Sequence, residues 1–238
     1  LIVKMTELKS RLQKLEEELK GVMQEWKKLM LEVPNVPDMS VPEGESDAQN
    51  VELNQVGDKP EFNFTPKNHT ELLPEMGMAD FTRGAKVSGF RGYFLSGRAA
   101  RLSFALWQFA MDELLASGFT PMIVPSLVRP EAFLGTGYLP QGADDLYKTK
   151  DGDYLAGTAE VATMGYFMDE VLGDADLPKK LASFSPCFRR EAGSHGKDTK
   201  GLIRVHEFYK VEQVVICKAS HEESVKWHEE LLKNAESF

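Results

Sequence analysis

The sequence predicts an α+β fold in which an antiparallel sheet is flanked by helices and follows part of a long helical coiled-coil arm. Three observations predict it. An apolar heptad opens the chain, an amphipathic run leads into a short strand in the middle, and two strand-like segments enclose a polar loop near the end. With 238 residues, 42% of them hydrophobic, the chain is long enough for one full domain and an appendage.

The first helix has the most regular periodicity in the chain. Apolar residues recur at steps of three and four along one seam, formed by Leu1, Met5, Leu8, Leu12, Leu15, Leu19, Val22, Trp26 and Leu29. This seam predicts a helical coiled-coil arm over residues 1–36, and by itself it leaves a generic dimerisation or scaffold role open. After Pro34 the composition changes to Pro, Asn, Glu and Gly, which predicts a linker over residues 37–60 and a folded core over residues 61–238.

The middle of the chain predicts a helix followed by a strand. From Ala99 to Ser117, helical spacing predicts a core face made of Leu102, Ala105, Leu106, Phe109, Ala110 and Leu114. The segment from Gly118 to Pro125 then predicts a turn and a strand that ends at a proline. We also expect strand pairing around residues 81–94 and a hairpin with a glycine turn over residues 146–155.

The segment from Cys187 to Gln213, CFRREAGSHGKDTKGLIRVHEFYKVEQ, carries the densest group of charged and aromatic side chains. It predicts two strands, residues 181–188 and 202–217, joined by a polar loop that contains glycines. On the second strand, a period of two predicts one face that carries Arg204, His206, Phe208, Lys210 and Glu212.

These side chains suit a nucleotide polyphosphate together with an amino acid. Arg189 can donate two N–H groups to a phosphate or a carboxylate, and Phe208 can stack on a purine. Glu191 can accept from the exocyclic amine of adenine, while Glu212 can pair with an ammonium. An exposed hairpin with solvated charges is the competing interpretation for any one of these residues alone.

The full string resembles motif 2 of the class II aminoacyl-tRNA synthetases, and within them the seryl-tRNA synthetases: it contains FRxEAGS, DTKGLIR, RVHEF and KVEQ. The sequence GTAEV from Gly157 to Val161 resembles the turn that lines the serine pocket of that family. The segment from residue 99 to Pro125 resembles motif 1, which builds the dimer interface. The chain departs from the family pattern at Arg190, where Ser is usual, and at Glu207, where Gln is usual.

The resemblance implies roles for individual residues. Serine would contact Thr158, Ala159, Glu160, Arg189 and Glu212. ATP would contact Arg189, Arg190, Glu191, Arg204, Val205 and Phe208, with the catalytic roles falling to Arg189, Glu191 and Arg204. Candidate tRNA contacts are His195, Lys197 and Lys200.

The resemblance also implies a reaction and its partners. Serine and ATP would form seryl-adenylate, and the seryl group would pass to tRNA(Ser), which the arm would grip. We expect a homodimer through motif 1, and Mg²⁺ with ATP. Part of the arm, motif 3 and the Mg²⁺ ligands are expected outside this sequence. Two alternatives stay open: a relative that charges a carrier protein, disfavoured by the heptad, and a noncatalytic interaction module, disfavoured by the presence of Arg189, Glu191 and Glu212.

Composition excludes several other classes of protein. Two cysteines without CxxC spacing argue against a disulfide framework and a structural zinc site. Neither a membrane-length apolar stretch nor a signal-peptide core is present, so we expect a cytoplasmic protein without a membrane partner. The net charge of −9 weakens nonspecific binding to nucleic acid, but the locally basic loop over residues 195–200 permits a specific contact with folded RNA.

Overall fold

The computed structural model describes residues 2–193, 196 and 200–238, and the predicted α+β fold class is confirmed. The helices are α1 Ile2–Glu32, α2 His69–Glu75, α3 Phe81–Ser88, α4 Gly97–Ala116, α5 Pro130–Gly135, α6 Glu160–Gly165 and α7 His221–Ser237. The strands are β1 Ala79–Asp80, β2 Phe94–Leu95, β3 Thr120–Ile123, β4 Leu127–Val128, β5 Tyr147–Lys148, β6 Tyr154–Leu155, β7 Lys179–Phe188 and β8 Glu207–Ile216. Two compact units result, Leu1–Gly57 and Asp58–Phe238.

The first unit consists of α1 and an irregular segment that follows it. The predicted helix is confirmed, and from Met5 to Leu29 every seam residue leaves at least half of its surface exposed. The first seam position, Leu1, lies outside the described residues. Residues 33–57 contain one short 3-10 turn, Asp47–Gln49, and otherwise no regular structure, as expected for a segment rich in Pro and Gly.

In the second unit, the central sheet has the strand order β3-β7-β8. Strands β7 and β8 pair antiparallel over ten residues each, with Ser183 opposite Glu212 and Cys187 opposite Phe208, whereas β3 runs parallel to β7. Residues opposite each other in such a pair point to the same face of the sheet. The register therefore places Phe208, Lys210 and Glu212 together on one face.

The prediction that the second strand begins at residue 202 is wrong. One backbone hydrogen bond, from Arg189 N to His206 O, extends the pairing beyond β8. Before that point the chain turns, because Gly201 has φ +80° and Arg204 bends towards an ion pair with Glu191. Arg204 and the buried Val205 consequently reach the site from a turn and not from a strand.

Helix α4 forms close to its predicted bounds, but of its predicted core face only Leu114 is buried. Ala99 and Leu114 are buried, and the Trp107 ring packs against the sheet at centroid distances of 5.5 Å from Phe184 and 5.0 Å from Tyr209. The predicted core residues on the other side remain open to solvent, with exposures of 55% for Leu102, 55% for Leu106 and 45% for Phe109. The helix is apolar around most of its circumference, so its periodicity does not identify the packed face.

Strand pairing around residues 81–94 is also a wrong prediction over most of its length. The side chain of Asp80 accepts from Arg83 N at 2.7 Å and caps α3, which occupies residues 81–88, while pairing is limited to β1 with β2. A Cβ atom added to Gly84 or to Gly92 would lie 2.4 Å from the other residue's carbonyl oxygen. The two backbones are therefore in direct contact, and this contact fixes the position of Arg91 between them in sequence.

The remaining elements pack together beside the site. The predicted hairpin is confirmed: Tyr147 pairs with Leu155, and β4 adds to its outer side. A hydrophobic core centred on Phe133 and Val161, both fully buried, connects this small sheet with α5 and α6. As a result, the first turn of α6 is held against β7 and β8.

Candidate active site

The amino-acid side of the site is a cluster of hydrogen bonds around one carboxylate oxygen. Glu212 Oε2 accepts from the Thr158 hydroxyl at 2.5 Å, from the Glu160 backbone N–H at 3.1 Å and from the Lys210 ammonium at 2.9 Å. Lys210 also donates to Thr158 Oγ1 at 2.7 Å. Thr158 is 2% exposed and Ala159 is 1% exposed, so the cluster stands on a buried base. Four of the predicted serine contacts, Thr158 to Glu160 and Glu212, thus lie together.

Small side chains on β7 make room for the long side chains on β8. Opposite Glu212, Lys210 and Phe208 stand Ser183, Ser185 and Cys187, which are 0%, 1% and 0% exposed. Thr163 on α6 contacts Ser183 through an Oγ–Oγ hydrogen bond of 2.7 Å. We call the volume between Thr158, Glu160 and Glu212, beside this row, the candidate amino-acid pocket. Burial raises the pKa of the Cys187 thiol, which keeps that group neutral.

Glu160 meets a tyrosine on the far side of the pocket. The Tyr138 hydroxyl donates to Glu160 Oε2 at 3.3 Å. Burial, together with the charge and hydrogen bond of Glu160 and the charge of Glu212, raises the pKa of Tyr138 to about 12, although the charge of Arg189 acts in the opposite direction. The phenol therefore remains a hydrogen-bond donor at neutral pH, and both carboxylates converge on one small volume.

Arg189 lies between the amino-acid side of the site and the ring of Phe208. Its Nε donates to Gly157 O at 3.1 Å, and its guanidinium carbon lies 5.2 Å from the centroid of the Phe208 ring. The backbone of Arg189 is fixed by His206, whose Nδ1 contacts Arg189 O at 2.9 Å. Within the described part of the chain, the two terminal nitrogens of Arg189 have no hydrogen-bond partner. They form a fork that can bind a phosphate or a carboxylate.

The nucleotide side is built from ion pairs between loops. Glu191 Oε2 accepts from Arg204 Nη1 at 2.7 Å, and Arg91 Nη1 lies 3.9 Å from the same oxygen. The side chains of Arg91 and Glu191 are only 4% and 10% exposed. The Glu191 carboxylate, expected to meet adenine, and the Arg204 guanidinium, expected to meet a phosphate, therefore contact each other in this structure.

One aspartate holds the backbone on both sides of Glu191. Asp145 O accepts from Arg190 N at 3.0 Å, and Asp145 Oδ1 accepts from Ala192 N at 3.1 Å. Between these two bonds Glu191 has φ +57°, a conformation that is uncommon for a residue with a side chain. Asp145 thus stabilises a strained residue at the nucleotide side.

The candidate tRNA contacts fall between β7 and β8 in the sequence. Lys200 is exposed, and so is Arg190 on the other side of this segment. His195 and Lys197 lie outside the described residues. The far end of the loop is fastened where Leu202 N donates to His69 Nε2 at 3.0 Å, so α2 supports the return of the loop to β8.

Sequence reasoning missed three residues of this site, Arg91, Tyr138 and Asp145, and the role of a fourth, Lys210. Arg91 stands in a glycine-rich segment, SGFRGYFLSG, in which Gly92 contacts the backbone of Gly84 in the preceding helix, and this density of glycines was a signal for a tight backbone contact. The period of two placed Lys210 on the correct face of its strand, but this period does not identify the partners of a side chain. Tyr138 and Asp145 carried no sequence signal, because their contacts depend on the packing of distant segments.

Among residues 2–193, 196 and 200–238, no three His, Cys, Asp or Glu side chains converge as a metal site. Both cysteines are unpaired. Of the helices that the structure describes, none has the length and apolar character needed to cross a membrane.

Comparison with known proteins identifies relatives of this chain. Residues 147–238 match the model of the tRNA synthetase class II core domain (G, H, P, S and T). Over its whole length the chain is 47% identical to the serine–tRNA ligase of Deinococcus radiodurans, and it covers 56% of that protein. Over 74% of its length it is 52% identical to the serine–tRNA ligase of Cutibacterium acnes, of which it covers 41%. The chain thus spans about half the length of the curated relatives that it matches.

Solved structures extend the similarity to three dimensions. The seryl-tRNA synthetase of Pyrococcus horikoshii, complexed with ATP, matches 99% of this chain with a TM-score of 0.90 and 37% identity, over 57% of its own length. The cytoplasmic serine–tRNA ligase of Naegleria fowleri, in complex with AMP, matches 93% of this chain with a TM-score of 0.86 and 31% identity, over 53% of its own length. This chain belongs to the class II aminoacyl-tRNA synthetases, in the family of the seryl-tRNA synthetases.

Proposed function

We propose that the protein to which this chain belongs is an ATP-dependent serine–tRNA ligase. It would join L-serine to ATP as seryl-adenylate, release pyrophosphate, and transfer the seryl group to the 3′ end of tRNA(Ser). One observation carries the proposal: Thr158, Glu160 and Glu212 converge on a small anionic pocket with the fork of Arg189 beside it. An ammonium, a hydroxyl and a carboxylate, the three polar groups of serine, each find a complementary group there.

Catalysis in this proposal depends on position and charge. The serine carboxylate attacks the α-phosphorus, so a protein nucleophile is not required. Arg189 holds the carboxylate and the α-phosphate together and stabilises the negative charge that grows on the phosphate oxygens. Phe208 stacks on the adenine ring, and the backbone at Val205 contacts the same ring. Arg190, Glu191 and Arg204 complete the nucleotide side, and ATP has to loosen the pair between Glu191 and Arg204 to engage both.

Two features support the remaining partners. The heptad seam of α1 suits a coiled-coil arm that grips tRNA, with the loop around Lys200 directed to the acceptor end. The apolar outer face of α4, with Leu102, Leu106 and Phe109 exposed, suits contact with a second copy of the chain. We therefore propose a homodimer. Mg²⁺ would accompany ATP, but no step here is assigned to it. The cytoplasm is the proposed location.

A first experiment tests the reaction in the full-length protein. We expect serine-dependent exchange of labelled pyrophosphate into ATP, together with charging of a tRNA(Ser) transcript. Threonine and alanine serve as control amino acids, because one adds a methyl group to serine and the other lacks the hydroxyl. A protein that loads serine onto a carrier protein and not onto tRNA would support the first alternative. A protein without exchange for any amino acid would support the noncatalytic one.

A further inference from the structure

Lys210 is a charged residue in the amino-acid pocket to which the proposed function assigns no role. It lies on β8 two residues before Glu212, so both side chains project from the same face of the strand. The side chains of Lys210 and Glu212 are 30% and 20% exposed. Their contact is therefore sheltered from solvent, unlike the surface ion pairs elsewhere in the chain, such as Lys218 with Asp174, whose side chains are 51% and 83% exposed.

The hydrogen bonds of Glu212 are all on one side of its carboxylate. Oε2 accepts from Thr158, from the Glu160 backbone and from Lys210. Within the described residues, Oε1 has no hydrogen-bond partner. Three donors on one oxygen fix the rotation of the carboxylate, because turning it would break all three bonds at once. Oε1 is thereby held in one orientation and remains available to a further donor.

Lys210 also balances the charge of the pocket. The charges of Glu160 and Glu212 both raise the pKa of Tyr138, so both carboxylates lie close to its hydroxyl group. With Arg189 assigned to the substrate carboxylate, Glu160, Glu212 and Lys210 leave two negative charges and one positive charge, a net charge of −1, which matches one substrate ammonium. Without Lys210, the carboxylates of Glu160 and Glu212 would lose the ammonium that offsets their mutual repulsion.

We propose that Lys210 is a positioning residue for the amino-acid substrate: its ammonium anchors Glu212 Oε2 and Thr158 Oγ1, so that Glu212 Oε1 is presented to the substrate ammonium. This inference rests on the proposed function. The opposing effect is repulsion between the lysine ammonium and the substrate ammonium. Lys210 lies on the side of Oε2 and the buried Thr158 hydroxyl, whereas the substrate approaches Oε1, so the anchoring effect is the larger one.

The experiment compares three variants of the full-length protein with the wild type. Lys210→Met removes the charge and keeps the length of the side chain. Lys210→Arg keeps a cation that can reach both acceptors. Lys218→Met is the matched control, since it removes an exposed lysine near the end of the same strand. KM for serine, KM for ATP and kcat are measured in pyrophosphate exchange, the serine Kd by calorimetry, and Tm by thermal unfolding.

We expect Lys210→Met to raise the serine KM and Kd by about 10- to 100-fold, the loss of one charge-assisted bond, with KM for ATP and Tm near the wild-type values. Lys210→Arg should recover most of the loss, and Lys218→Met should match the wild type. A serine Kd within twofold of wild type would overturn the proposal. Tighter binding of serine by Lys210→Met would also overturn it and would identify the lysine as a competitor for the ammonium site.

Parallel loss of serine binding, ATP binding and Tm would assign Lys210 a purely structural role and would likewise overturn the proposal. The wild-type protein separates this inference from the proposed function. If the wild type shows no serine-dependent exchange and no serine binding, both fall together. If the wild type exchanges with serine and Lys210→Met is unchanged, only the role of Lys210 falls.

Discussion

The two halves of the candidate site are built in different ways. On the amino-acid side, Glu212 and Lys210 stand on a ten-residue strand, and their partner Thr158 is 2% exposed. On the nucleotide side, Glu191 and Arg204 stand on turns outside the strands, and Glu191 is held at φ +57°. Strand register fixes the first half, whereas contacts between loops fix the second. We therefore expect substitutions on the amino-acid side to affect one substrate selectively, and loop contacts on the nucleotide side to have smaller effects that are distributed over several residues.

The largest expected effect is at Arg189, which joins the two halves. Arg189→Ala should lower kcat for adenylate formation by about 100- to 1,000-fold, because the fork acts on charge that develops in the transition state. The Kd for ATP should change much less. Stopped-flow measurement of adenylate formation gives both quantities.

Arg189→Lys should not restore the rate, since one ammonium cannot bridge two oxygens as a planar guanidinium can. Arg190→Ala, at the exposed neighbouring position, should have a much smaller effect than Arg189→Ala. A normal exchange rate in Arg189→Ala would remove this residue from the mechanism and would leave the two halves of the site without a link.

The second effect tests the amino-acid half. Glu212→Gln should raise the serine KM about 100-fold, a cost of about 3 kcal/mol, because it removes the charge opposite the ammonium and leaves Lys210 without its partner. KM for ATP should stay near the wild-type value. Glu207→Gln is the matched control, as it changes an exposed glutamate on the opposite face of the same strand. Equal increases in both KM values would show that the halves are not independent.

The third effect tests the nucleotide half. Asp145→Ala should raise KM for ATP about fivefold, because it removes the acceptor of the Ala192 N–H, a bond worth about 1 kcal/mol, while the backbone bond to Arg190 remains. KM for serine should be unchanged. Asp151→Ala, in the exposed turn between β5 and β6, is the control. An unchanged KM for ATP would mean that Glu191 keeps its conformation without this bond.

The smallest effect is expected at Tyr138, whose 3.3 Å bond to Glu160 is long. Tyr138→Phe should raise the serine KM only about two- to threefold, the loss of one weak neutral donor. The pKa of Tyr138 is raised from 10.0 to about 12 in the folded protein. A raised pKa means that the stabilising contribution of the phenol is present below pH 10 and is lost as the pH rises towards 12.

The pH dependence provides the measurement for this residue. The wild type should lose unfolding free energy between about pH 10 and pH 12 more steeply than Tyr138→Phe, in denaturant titrations at fixed ionic strength. Identical pH profiles for the two proteins would contradict the assignment. Tyr147→Phe, on the neighbouring hairpin, controls for the loss of a phenol that does not contact Glu160.

The sequence alone predicted much of the fold where structure is local. The heptad from Met5 to Leu29 predicted α1, because 3.6-residue periodicity is a property of one segment. The pair β7 and β8 followed from two strand-like runs around a glycine-containing loop. The helix at residues 81–88 was missed, since a short segment with one capping aspartate carries too little periodicity to separate helix from strand.

For the site, the sequence by itself determined which chemical groups are present and which family they belong to. Arg189, Glu212 and Thr158 stand in motifs whose spacing in the sequence resembles that of the family. Only the tertiary structure decided which groups meet. It placed Arg91 close to Glu191 and bonded Asp145 to the backbone next to Glu191. It also brought Lys210 into contact with both Thr158 and Glu212, and it determined which side of α4 packs on the sheet. The physical reason is that periodicity assigns a side chain to a face of its own element, whereas its partner depends on how distant segments pack to bury apolar surface and pair buried charges.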